Sequence, residues 1–157
     1  MIHVICKYGE SIPPEVVKGI ADTSHSVMVI SSPAKEGGLD RANIHLNWTT
    51  AMKYFDGDVF FGMDSDIVIK YGSTIALSLA MIEADFAFIA TGPSNTHGIW
   101  AVKRRVIDAV PMRQTDTCPI CEWKNDIVEA GYKIKRVPEM VQHVRRITIK
   151  EAENGRS

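Results

Sequence analysis

Apolar positions along the chain fall into short runs separated by polar stretches, and the spacing inside each run predicts an element. Ile2 to Lys7 is dense in β-branched residues and reads as a buried strand. Pro13-Pro14 opens a helix to about Ala21, because proline is tolerated in a first turn, with Val16, Val17 and Ile20 on one face. Ser26 to Ser31 reads as a second strand and Pro33 to Gly38 as a loop. Leu39 to Phe55 is helical, with an irregular stripe through Leu39, Ala42, Leu46, Thr49 and Lys53.

After the turn Asp56-Gly57-Asp58, Val59 to Met63 is almost wholly apolar. That is the pattern of a central strand covered on both faces, and it ends at Asp64. Ile67 to Ile69 is a short extended piece, Ser73 is expected to cap a helix reaching about Glu83, and Phe86 to Ala90 is another strand. A polar loop from Thr91 to His97 precedes a strand from Gly98 to Val102 and a short helix from Lys103 to Val110, stopped by Pro111. A loop from Gln114 to Pro119 leads into a helix from about Ile120 to Ala130, with Gly131 as its C-terminal cap. Lys133 to Val137 and Val141 to Arg146 read as extended, and the tail beyond Lys150 is polar.

Alternating strands and helices predict an α/β fold, three layers α/β/α with a mostly parallel central sheet. One domain is expected over residues 1–150, with 151–157 as a tail. Such sheets bind ligands beyond the carboxyl ends of their strands, where Asp64 falls.

Composition narrows the function classes. With 157 residues and 45% hydrophobic content the chain can bury one sizeable core. A formal net charge of -1 argues against nucleic-acid binding driven by phosphate contacts. The longest apolar runs, such as Ile75 to Ile82, fall well short of the ~20 residues of a membrane span. Met1 to Lys7 lacks the basic and apolar regions of a leader, so none is expected. Three cysteines are too few for a disulfide framework and point to a reducing, cytoplasmic setting. The segment from Gly131 to Lys150 carries Lys133, Lys135, Arg136, Arg145, Arg146 and Lys150 against Glu139 alone, and reads first as a solvated face.

Four features could carry chemistry. Asp64-Ser65-Asp66 places two carboxylates at the end of a buried strand, where each is costly without a cation. A hard divalent ion accepts such oxygens and bridges diphosphates, although D-x-D also occurs in ordinary surface turns. His143, between apolar neighbours, is a core histidine or a neutral metal ligand. Glu122, early in the last helix, either stabilises that helix terminus or acts as general base toward an acceptor hydroxyl. Cys118-Pro119-Ile120-Cys121 opens the same helix. It lies too late in the chain for a thioredoxin-like pattern and has no second pair for zinc, so it reads as structural.

Taken in order, Phe55 to Val68 around Asp64-Ser65-Asp66, Gly98 to Ile107, and Glu122 through Gly131-Tyr132-Lys133-Ile134 to His143 resemble family-2-like glycosyltransferases of the GT-A fold. The resemblance extends from about Leu39 to Arg146 and describes a compact, near-minimal catalytic domain. It implies a nucleotide-diphospho-sugar donor, Mn2+ or Mg2+ as cofactor, and an acceptor that is a glycan, protein, lipid or small molecule. Asp66 and His143 would ligate the metal, with Asp64 contributing there and toward the ribose or diphosphate. Lys7 and Tyr8 would meet the base, Arg41 the base or diphosphate, and Gly98 would belong to the donor-binding set. Glu122 would be the base of an inverting transfer. The acid pair usual before the last helix stands here as Cys121-Glu122, displaced along the chain. Two other readings stay open: a sugar-phosphate nucleotidyltransferase, although Tyr8 to Pro14 lacks a Gly-rich basic loop, and a degenerate GT-A-like binding subunit. A homodimer is left open.

Overall fold

The computed structural model describes residues 1–6, 12–23, 26–31, 41–91 and 97–144, and the side chains of all of these except 31, 41, 97, 139, 140 and 143. In chain order the elements are β1 (Ile2–Cys6), α1 (Pro14–Asp22), β2 (Val27–Ser31), α2 (Arg41–Tyr54), β3 (Val59–Asp64), β4 (Ile67–Val68), α3 (Ser73–Glu83), β5 (Phe86–Ala90), β6 (His97–Lys103), α4 (Arg104–Ala109), α5 (Pro119–Glu129), β7 (Ile134–Met140) and β8 (Gln142–His143). The loop expected at Pro33 to Gly38 and the tail beyond Lys150 lie outside the described residues.

Six strands form one sheet in the order β2-β1-β3-β6-β5-β7, and β4 pairs with β8 in a second, two-stranded sheet. β1 runs parallel to β2 and β3, and β5 runs parallel to β7. β6 is antiparallel to both neighbours, β3 and β5. The direction of β6 follows from chain length. Only the short stretch after Ala90 separates β5 from β6, and a parallel return needs a crossover of a dozen residues or more. The predicted three-layer, mostly parallel α/β/α architecture is therefore what forms, with one reversed strand at its centre.

Strand alternation divides the core between the two faces. Val4, Phe61, Met63, Ile89 and Ile99 point toward α1 and α3, where Val16, Ile20, Leu77 and Met81 meet them. Ile5, Phe60, Phe86, Phe88 and Trp100 point toward α2, α4 and α5, where Trp48, Val106, Trp123 and Ile127 meet them. The second face is aromatic. Phe60 and Phe86 both stack on Trp100, with centroids 5.4 and 5.8 Å away, and Trp48 meets Trp100 edge-on at 4.9 Å. Such pairs add about 0.5–1.5 kcal/mol each beyond area burial. The indoles fit because Gly62 has no side chain. A Cβ there would lie 2.5 Å from Trp100 Cζ2 and 2.9 Å from Trp48 Cζ3.

Three local expectations are corrected. Ser73 is not the cap of α3. Gly72 holds that place with φ 90°, and the Ser73 Oγ accepts the Lys70 N–H instead at 3.2 Å. Val17 does not share the buried face of α1, where Val16, Gly19 and Ile20 pack while Val17 is half exposed. The buried face of α2 is Ile44, Trp48, Ala51 and Met52, leaving Leu46 in solvent. The register of that helix is set by Trp48 seeking the ring cluster on the sheet, which no repeat within the helix announces.

Candidate functional site

β3 delivers Asp64 to the carboxyl end of the sheet's central region, in register with Ile5 of β1. The Ser65 N–H donates to the Ile5 carbonyl at 3.1 Å, so the pairing with β1 extends into the turn. Ser65 and Asp66 are buried to 1% exposure, while Asp64 is partly exposed. The Asp66 Oδ1 atom is itself buried and makes no hydrogen bond, while the residue makes other interactions. β8 then crosses back antiparallel to β4, pairing His143 with Ile67 and Gln142 with Val68. The Val144 N–H donates to the Asp66 carbonyl at 2.8 Å. Residues 77 positions apart in the chain, Asp66 and His143, thus have adjacent backbones (143 − 66). The His143 side chain lies outside the description.

Gly98 lies at the same end, because Met63 pairs with Ile99 and the next residues outward are Asp64 and Gly98. It is buried, and a Cβ there would come 2.1 Å from Val141 Cγ2. That glycine lets the segment leading to β8 close over β6. Lys7 and Tyr8 follow β1 in the chain but lie outside the described residues, as does the side chain of Arg41, the first residue of α2.

The N-terminus of α5 shares this neighbourhood. Cys118 is its N-cap, and the Sγ accepts the Cys121 N–H at 3.3 Å. A hydrogen bond from the Cys121 thiol is the main influence lowering the Cys118 thiol to about 6, with backbone N–H groups assisting. Burial and the negative charge of Asp64 oppose that shift, which places the Asp64 carboxylate within electrostatic reach of the sulfur. Glu122, in the first turn, is partly exposed and its Oε1 accepts the Thr117 hydroxyl at 3.0 Å. The structure therefore brings Asp64, Asp66, Gly98 and the backbone of His143 to one end of the sheet. Glu122 stands on the helix whose capping sulfur feels Asp64.

The donor set suits a divalent cation: carboxylates at a strand end, one of them buried, where a charge is costly without compensation. Among the described residues, no group of three or more His, Cys, Asp or Glu side chains gathers around one point. Sequence reasoning missed that the Asp64 charge acts on Cys118, a relation between distant segments that no local pattern records.

The basic segment also resolves in part. Lys135 pairs with Glu83 at 3.0 Å, and the Lys133 N–H donates to Asp85. Arg145, Arg146 and Lys150 lie outside the described residues. No helix among the described residues is long and apolar enough to cross a membrane.

No protein-family model matches the chain, and no curated protein does. Solved structures do. The mannosyltransferase PcManGT from Pyrobaculum calidifontis, in complex with GDP-Man and Mn2+, aligns over 99% of this chain with TM-score 0.67 at 12% identity. The chain spans 59% of that enzyme's length. Glucosyl-3-phosphoglycerate synthase from Mycobacterium tuberculosis, in complex with Mn2+, UDP and phosphoglyceric acid, aligns over 98% of this chain and 73% of its own, with TM-score 0.63 at 13% identity. The protein A197 from STIV aligns over 94% of this chain and 97% of its own, with TM-score 0.58 at 10% identity. The chain has the GT-A fold of nucleotide-diphospho-sugar glycosyltransferases.

Proposed function

We propose that the chain binds a nucleotide-diphospho-sugar with Mn2+ or Mg2+ and transfers the sugar to an acceptor hydroxyl, residues 1–150 acting as one catalytic unit. The observation that carries the reading is the placement of Asp64-Ser65-Asp66 at the carboxyl end of β3, with β8 bringing the His143 backbone beside Asp66. Binding of GDP-Man or UDP with Mn2+ by proteins of the same fold supports it.

Asp66, Asp64 and His143 would hold the cation, since carboxylate oxygens and an imidazole nitrogen suit Mn2+. Bound there, it neutralises negative charge on the diphosphate. The remaining work belongs to the chain. Asp64, the more exposed carboxylate, also faces the ribose or diphosphate, and Lys7, Tyr8 and Arg41 hold the base and diphosphate. The backbone at Gly98 closes the same end. Glu122 takes the proton of the acceptor hydroxyl as that oxygen attacks the anomeric carbon, the bond from this carbon to the diphosphate breaks on the opposite face, and the nucleoside diphosphate leaves with inversion. Its exposure and its position on the first turn of α5 suit an approach from solvent.

Calorimetry with a panel of UDP- and GDP-sugars, with and without Mn2+, tests the reading. Donor binding is expected only with the cation, and Asp66→Ala is expected to remove it. Equal donor affinity in a chelator, or in the Asp66→Ala variant, would overturn the assignment.

A further inference from the structure

The pair Cys118 and Cys121 has no part in the proposed transfer, yet its geometry is specific. Pro119 occupies the first position of α5, Cys118 is the N-cap and Cys121 follows three residues later. That spacing places both sulfurs on the first turn, at the positive end of the helix dipole. The Cys121 N–H donates to the Cys118 Sγ at 3.3 Å, and the Cys121 thiol hydrogen-bonds to the same sulfur. Both residues are partly exposed and neither is in a disulfide, whereas the third cysteine, Cys6, is buried in β1.

The two sulfurs are not equivalent. Cys118 receives hydrogen bonds that favour its thiolate. Cys121, by donating to Cys118 and by its burial, is held as a thiol above the usual cysteine range. A nucleophilic sulfur beside a protonated one within bonding reach is the arrangement that thiol–disulfide exchange requires.

We propose that Cys118 and Cys121 are a redox-active dithiol, with Cys118 attacking and Cys121 resolving, which a low-molecular-weight disulfide converts to an intrachain disulfide on the first turn of α5. The Cys118 thiolate attacks one sulfur of the reagent; the reagent's S–S bond breaks and one thiolate leaves, giving a mixed disulfide on Cys118. Cys121 then gives up its proton and attacks the Cys118 sulfur, and the second reagent thiolate leaves. Two protein thiols are oxidised, one reagent disulfide is reduced to two thiols, and the two protein protons end on those thiols. This chemistry stands on α5 and holds whether or not the chain transfers sugars.

The test uses the full chain, reduced and then exposed to mixtures of reduced and oxidised glutathione, acid-quenched, alkylated and mapped by mass spectrometry. Wild type is expected to acquire one disulfide joining Cys118 and Cys121. Cys121→Ser is expected to stop at a glutathione adduct on Cys118, and Cys118→Ser to form an adduct at least about tenfold more slowly. Serine also caps helices, so both variants are expected to keep the wild-type circular dichroism. Chains that stay reduced in oxidised glutathione, adducts that form on Cys121 as fast as on Cys118, or a bridge that involves Cys6 would each overturn the proposal.

Discussion

At the amino end of β5, Asp85 lies 6% exposed, 3.6 Å from the Lys103 ammonium, bonded to the Arg105 guanidinium and accepting the Lys133 N–H at 3.0 Å. At the opposite end of the same sheet, Asp64 ends β3 and Asp66 follows two residues later in the turn, a pair of carboxylates. Burial alone pushes the Asp85 carboxyl up, but its hydrogen bonds and the two cations hold it below the usual carboxylate range. One end has built the countercharge for its carboxylate into the chain and ties three strands together with it. The other places two carboxylates at the carboxyl end of a central strand, where sheets of this kind bind ligands. The difference separates a carboxylate that holds the fold from a pair suited to a ligand, and substitutions at the two ends should affect different measurements.

The largest expected effect is at the β3 end. Asp66→Ala should weaken cation-dependent donor binding about a hundredfold or more, close to 3 kcal/mol by calorimetry. Its denaturant midpoint should stay near wild type, since alanine keeps the backbone carbonyl that the Val144 N–H bonds. A variant that unfolds while donor affinity survives would erase the contrast. Asp85→Ala should do the reverse. It leaves the Lys133 N–H and two cations without their acceptor, and should lower stability by about 2 kcal/mol in urea, discounted for the exposure of Arg105. Donor affinity should stay within about twofold.

Gly98→Ala sharpens the comparison by perturbing the site end through packing rather than charge. The added Cβ meets Val141, which leads into β8, so stability should fall by about 1–2 kcal/mol. Donor binding should weaken with it as the His143 backbone shifts relative to Asp66. Unchanged binding with lost stability would detach β8 from the site.

The smallest effect is on acid stability. His3 is buried, stacked on Phe60 at 4.1 Å, and its ring nitrogen hydrogen-bonds the Phe61 carbonyl. Burial lowers its proton affinity below the ordinary histidine value. The unfolded chain then binds the proton more readily, so the stability from a neutral His3 is complete above about pH 6.5 and is lost as pH falls through that value toward the folded pKa. Asp85 acts lower. Its contribution is present above about pH 4 and is lost as pH falls through its depressed folded value. Urea unfolding across pH should therefore show two steps. His3→Phe should remove the upper one and leave the lower, whereas Asp85→Ala should reduce the lower, to which the depressed Glu83 and Asp126 also contribute, and leave the upper.

Much of this was legible before folding. Runs such as Phe86 to Ala90 and Val59 to Met63 become strands because β-branched and aromatic residues in apolar series suit a sheet buried on both faces. Pro119 and Gly131, the latter at φ 87°, bound α5 through local backbone restrictions. Alternating elements then imply a sheet with a crevice at its carboxyl ends, and Asp64-Ser65-Asp66 follows the apolar run that must lie at its centre. Each of these inferences uses interactions within a few residues, which sequence records directly.

Tertiary packing alone decided the rest. The insertion of β6 between β3 and β5, the burial of Trp48 rather than Leu46 on α2, and the space that Gly62 leaves for two indoles all depend on which distant segments meet. So do the pairing of His143 with Ile67 and the influence of the Asp64 charge on Cys118. A dihedral preference or a hydrophobic period belongs to neighbours in the chain. Pairing across a sheet and packing against a helix belong to neighbours in space, selected by the fit of the whole core.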